Sequence, residues 1–91
     1  MIRSFRCAET EGIFKLVRSR RFPGEIQQVA LRKLRMLNNA INTDDLRVPP
    51  ANRLEKLKGD RSGRRSIRVN DQWRICFRWS DGDAFEVEMV D

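Results

Sequence analysis

Residues 64–90 read RRSIRVNDQWRICFRWSDGDAFEVEMV, and their two-residue periodicity decides the fold. From 64 to 70, Arg65, Ile67 and Val69 alternate with Arg64, Ser66, Arg68 and Asn70. From 72 to 80 the alternation is cleaner: Trp73, Ile75, Phe77 and Trp79 fall on one side, Arg74, Cys76 and Arg78 on the other. From 84 to 90, Phe85, Val87 and Met89 oppose Glu86 and Glu88. Such a period belongs to strands with one buried and one wet face. Asn70-Asp71 is a candidate tight turn and Asp81-Gly82 a strong hairpin signal, so the three strands form an antiparallel meander.

Upstream, Lys58 to Gly63 is a loop by its Gly and Asp content. Residues 42 to 56 are irregular: Thr43 is a candidate cap, Pro49-Pro50 imposes an extended path, and Leu54 and Leu57 anchor the segment to the core. Pro23 opens a helix on which Ile26, Val29, Ala30, Leu34, Leu37 and Ile41 form one apolar face. Gln27, Arg32, Lys33 and Arg35 lie off that stripe and read as a solvated face. A shorter helix is expected over 10–20, with Arg18, Arg20 and Arg21 at its C-terminal end, where cations suit the dipole. Ile2 to Phe5 is a strand candidate. The order is therefore β-α-α-β-β-β, an α+β fold with two helices packed on one face of an antiparallel sheet.

Ninety-one residues make one domain, 1–91. With 40% apolar and 35% charged residues the chain is globular rather than disordered. No stretch is long and apolar enough to span a bilayer, and no apolar run follows Met1-Ile-Arg-Ser, so the expected setting is cytoplasmic, away from membranes. Cys7 and Cys76, without any His, do not make a zinc site and are read as thiols. His and Tyr are both absent, so acid–base chemistry would fall to Lys, Arg, Asp, Glu, Ser or Cys.

The charge is uneven. Arg53, Lys56, Lys58, Arg61, Arg64, Arg65 and Arg68 against Glu55 and Asp60 give a local +5, nearly the whole +6 of the chain. Arg68, Arg74 and Arg78 then fall on the open sheet face. Arginine forks bind phosphate oxygens in a bidentate way, so this face is a candidate nucleic-acid cradle. The bland alternative is cross-strand neutralisation by Glu86 and Glu88. That alternative is preferred for Arg78, and a ligand role for Arg74.

Several tokens in order carry a resemblance: Leu57-Lys58-Gly59-Asp60-Arg61, Ser66-Ile67-x-Val69, Trp73-Arg74-Ile75-x-Phe77 and the ending Val87-Glu88-Met89-Val90-Asp91. Together with the opening Met1-Ile-Arg-Ser-Phe5, they make the chain resemble the RelE/ParE superfamily of bacterial type II toxins, in its HigB-type branch. The resemblance implies a ribosome-dependent mRNA endonuclease that inhibits growth, needs no metal or other cofactor, and is neutralised by a HigA-type helix-turn-helix antitoxin. Operator DNA would be contacted only indirectly, through the antitoxin. It further implies Lys58, Arg74 and Asp91 as catalytic residues, with Arg53, Lys56, Arg61, Arg64, Arg65 and Arg68 supplying RNA contacts. Two features depart from the pattern. Glu55 stands where some relatives carry histidine, and nothing follows Asp91 where the branch has Tyr-His. The sequence is therefore expected to be shortened, and adding Tyr-His to raise toxicity. The alternatives are a ParE-like toxin directed at gyrase and a non-catalytic RNA-binding relative.

Overall fold

A computed structural model describes residues 1–59 and 63–91. Its regular elements are helices α1 (Ala8–Phe14) and α2 (Gly24–Asn39), two 3₁₀ turns (Thr43–Arg47 and Pro50–Asn52), and strands β1 (Glu55–Lys56), β2 (Arg64–Arg68), β3 (Arg74–Ser80) and β4 (Asp83–Val90). The strands pair antiparallel in the order β1-β2-β3-β4. The meander and the two helices are those expected.

The register explains the core. Ile67 pairs with Ile75, and Ile75 with Met89, which stacks three apolar side chains across the sheet. With Phe77 and Val87 they pack under Ile26, Ala30, Leu34 and Leu37 of α2. Trp73 and Trp79 flank this core half-buried.

One strand face was misread. On β4 the pairing runs Cys76 to Glu88 but Arg78 to Phe85, so β4 carries one residue more than β3 at that point. Glu86 sits there at φ 54°. Such a bulge inverts the alternation beyond it. Ala84 and Val87 face the core, and Phe85 turns to the open face, where the Arg78 guanidinium lies 4.6 Å from its ring centroid.

The bulge also explains why residues 2–5 are not a regular strand. They run parallel to β4 but make only isolated bridges, Ile2 to Ala84 and Phe5 to Val87. Between them the Glu86 N–H donates to Ser4 Oγ at 2.8 Å instead of continuing a ladder.

Helix α1 is shorter than expected. It ends at Phe14, where the Val17 N–H donates to Gly12 O at 2.7 Å and the Leu16 N–H to Ile13 O at 3.0 Å. This is the paired closure of a Schellman cap, with Leu16 at φ 67° in the left-handed position usually held by glycine. Arg18, Arg20 and Arg21 therefore lie in a loop, not on a helix end.

Helix α2 stops at Asn39, so Ile41 is 81% exposed and Ala40 takes the buried place. Lys33 is buried rather than solvated: its ammonium donates to Asn52 Oδ1, while Asn52 Nδ2 donates to Leu46 O at 3.2 Å. Burial, aided by nearby Arg32, holds the Lys33 pKa below its ordinary value. The first 3₁₀ turn is capped by Asn42 in a reciprocal box with Asp45, not by Thr43.

Candidate active site

The open face of the sheet is organised around Ser66. This residue is fully buried in β2, directly opposite Cys76, with Arg68 opposite Arg74. Arg74 Nε donates to Ser66 Oγ at 2.9 Å, and its Nη2 donates to the Arg53 carbonyl at 2.8 Å. Glu55, on the short edge strand β1, places a carboxylate oxygen 3.8 Å from the same Nη2. Among the described residues these bonds run through Nε and Nη2, which leaves Nη1 for a ligand. Rotation of the guanidinium is blocked from two sides.

An open cleft of about 370 Å³ lies over this arrangement. Arg53, Arg68 and Arg74 line it together with Asn70, Gln72 and Asp91. Arg68 is held by Asp71, and the Gln72 amide donates to Asp91 Oδ2 at 3.2 Å. Like charges directly opposite on neighbouring strands destabilise a sheet. Here the arginines converge on open space, which suits an anion such as a phosphodiester.

The remaining candidates separate. Lys56, Lys58, Arg64 and Arg65 border a second depression of about 400 Å³, with Leu57 shared between the two. Lys58 is exposed there and does not line the cleft of Arg74 and Asp91. Arg64 faces the open side but is nearly buried. Its Nη1 meets Glu86 Oε2 at 3.0 Å, and its Nη2 meets Glu86 O at 2.9 Å and Glu88 Oε2 at 3.3 Å. Arg78 shares Glu86 at 3.5 Å, as cross-strand neutralisation predicted for it. Arg61 lies outside the described residues. Among the described residues no group of three or more His, Cys, Asp or Glu gathers to hold a metal, and no helix is long and apolar enough to cross a membrane. Cys7 and Cys76 are not bridged.

Sequence reasoning passed over Ser66, Asn70 and Gln72. Ser66 was legible as a small hydroxyl residue on the open side of β2, between Arg64 and Arg68. The Asn70 side chain, which accepts from the Gln72 and Trp73 N–H groups at 2.8 and 2.7 Å, shapes the turn that carries both neighbours into place.

The chain is 48% identical over 67 residues to Toxin HigB-1 of Vibrio cholerae serotype O1, covering 74% of this chain and 70% of that one. It is 46% identical over 39 residues to Endoribonuclease HigB of Proteus vulgaris, covering 43% and 42% respectively. The crystal structure of YafQ from E. coli strain BL21(DE3) superposes with TM-score 0.58 over 99% of this chain and 92% of that one, at 16% identity, a likeness of fold. The sequence model of RelE-like toxins of the type II toxin–antitoxin system HigB matches residues 4–91. The chain therefore belongs to the HigB-like toxin family, whose membership implies an antitoxin partner.

Proposed function

We propose that the toxin is a ribosome-dependent mRNA endonuclease acting in the cytoplasm, with Arg74 as its central phosphate ligand. The observation that carries this reading is the fixed Arg74 guanidinium, facing an open cleft with Arg53 and Arg68 and with the Asp91 carboxylate at its rim. In the proposed step a ribose 2′-hydroxyl attacks the adjacent phosphorus. The O2′–P bond forms, the P–O5′ bond breaks, Asp91 accepts the 2′ proton, and O5′ takes up a proton from solvent. Arg74, with Arg53 and Arg68, stabilises the charge that builds on the phosphoryl oxygens. The ribosome aligns the message, supplying the in-line geometry that a shallow cleft does not impose alone.

Lys58, Lys56 and Arg65 form a flanking basic surface that holds the message or ribosomal RNA through salt-dependent contacts. Arg64, taken up by Glu86 and Glu88, contributes to the fold of this face rather than to RNA binding. A helix-turn-helix antitoxin neutralises the toxin and carries it to operator DNA.

The test is growth arrest together with mapping of cut messages in a translating extract. Arg74→Ala is expected to abolish both, and Lys58→Ala to weaken both. Cutting unaffected by either change would overturn the nuclease reading. Inhibition of supercoiling without cutting would instead indicate gyrase as the target.

A further inference from the structure

Beyond Asp91 the rim of the cleft falls into a separate depression of about 500 Å³. Val90 and Asp91 belong to both walls, so they form a ridge between the two hollows. Trp73 and Arg21 line the far side. Trp73 and Arg74 are consecutive, and Trp73 packs against the core while Arg74 opens onto the cleft, so their side chains lie on opposite faces of the sheet. One residue step therefore separates the guanidinium of the cleft from an indole beyond the ridge.

The backbone of Trp73 is set by the turn before it: Asn70 Oδ1 accepts its main-chain N–H at 2.7 Å, and its carbonyl accepts from the Val69 N–H at 2.9 Å. Phe22 packs against the indole at 5.1 Å between centroids and 84° between planes. Trp73 packs against the core on one side and remains partly exposed where it lines the depression. Arg21 lines the same depression, 5.5 Å from the Phe22 centroid, with its Nη1 donating to Cys7 Sγ at 3.6 Å and its charge acting on Glu9.

The lining also holds three carboxylates, Glu9, Glu88 and the ridge residue Asp91. Glu88 is engaged by Arg6 at 3.3 Å and by Arg64 at 3.3 Å, and Glu9 accepts from Ser19 Oγ at 2.7 Å. Their negative charge disfavours a second phosphate here. A neutral, planar group is what an aromatic wall with one adjacent cation accepts.

We infer that this depression is a nucleobase subsite, in which the base next to the phosphate held by Arg74 stacks on Trp73 beneath Arg21. The inference rests on the nuclease reading for its substrate and extends it to the part of the message that the toxin discriminates.

The test uses Trp79→Phe, which leaves Trp73 as the sole tryptophan. Fluorescein-labelled single-stranded RNA with methylated 2′-hydroxyls is added, so that nothing is cut. Anisotropy reports binding and indole emission reports stacking. Emission should fall as anisotropy rises, and an abasic nucleotide at one position should restore the emission while binding persists. Trp73→Leu should weaken binding by roughly 5- to 150-fold, the range for one stacked base. Wild-type protein irradiated with 4-thiouridine RNA should cross-link through the peptide containing Trp73, which keeps the test alive should Trp79→Phe fold poorly. Binding without loss of emission, or emission indifferent to every abasic position, would overturn the subsite while leaving the nuclease reading intact. Absence of RNA binding together with absence of cutting in a translating extract would remove both.

Discussion

Arg68 and Arg74 are direct cross-strand partners, and each is held by a different group: Asp71 for Arg68, Ser66 and the Arg53 carbonyl for Arg74. Two fixed cations sharing one concavity are less repelled when an anion lies between them. Inorganic phosphate should therefore raise the thermal midpoint of the folded chain by mass action. The rise should shrink in Arg68→Gln and in Arg74→Gln. Identical phosphate dependence in all three proteins, measured by calorimetry, would show that the arginines do not bind the anion as a pair.

Arg74→Lys keeps the charge but not the fork. A lysine cannot reach Ser66 Oγ and the Arg53 carbonyl together and still present a donor to the cleft. Message cutting is expected to fall by about 100-fold, comparable to the loss of one oriented donor at a developing oxyanion. Ser66→Ala should leave the charge in place and lose only its orientation, giving a smaller fall in rate with little change in RNA affinity. Single-turnover cutting on programmed ribosomes separates the two effects.

Arg64→Ala is predicted to be a stability variant. It removes the cation that Glu86 and Glu88 share on a partly buried face and leaves them only the more exposed Arg78 and Arg6. The side chains of Arg64, Glu88 and Glu86 are 10%, 23% and 46% exposed, so solvent screens part of the loss. A destabilisation of about 2–3 kcal/mol is expected in urea unfolding. Arg65→Ala, with no ion pair among the described residues, should cost under about 1 kcal/mol.

Lys33 gives the fold a signature at high pH. Its folded pKa lies below the ordinary 10.5 because burial disfavours the ammonium. Below the folded value both states carry the proton, and the desolvation burden on the folded state is complete. Between the folded value and 10.5 the unfolded chain holds the proton and the folded chain does not, so stability rises with pH in that window. Subtracting the curve of Lys33→Met from that of wild type should isolate this rise. Parallel curves in alkaline urea titrations would show that the buried ammonium is not disfavoured.

Leu16→Gly is expected to stabilise the protein. Leu16 is 70% exposed, so its removal forfeits little burial, while its left-handed backbone strains any residue with a Cβ. Offset by the greater freedom of glycine in the unfolded chain, the net gain should be about 0.5–1 kcal/mol. Chemical denaturation of the single variant measures it.

What could be read in advance follows physical range. The alternation of Ile67, Ile75 and Phe77 is a local property, and it alone places the sheet, its buried face and the open side of Arg74. The Glu86 bulge is not local: nothing in Asp83 to Val90 announces one residue too many until the strand is laid against β3. The same limit hid the burial of Lys33, whose polar partner Asn52 is nineteen residues away. At the site, arginines were recognisable by type, but which of them were already engaged depended on register. Arg64 looked like Arg68 in sequence and differs from it by the carboxylates of the strand two places across the sheet.

The two outer strands have a consequence for behaviour in concentrated solution. Sheets with bare margins recruit other copies through their unpaired amides, the first step towards fibres. Here one margin ends in the two exposed, charged residues Glu55 and Lys56, and the other is overlaid by residues 1–6, whose interrupted bonding is a poor template for a further strand. Among the described residues a neighbouring copy meets no continuous row of amides at either margin, so the sheet resists growing by strand addition.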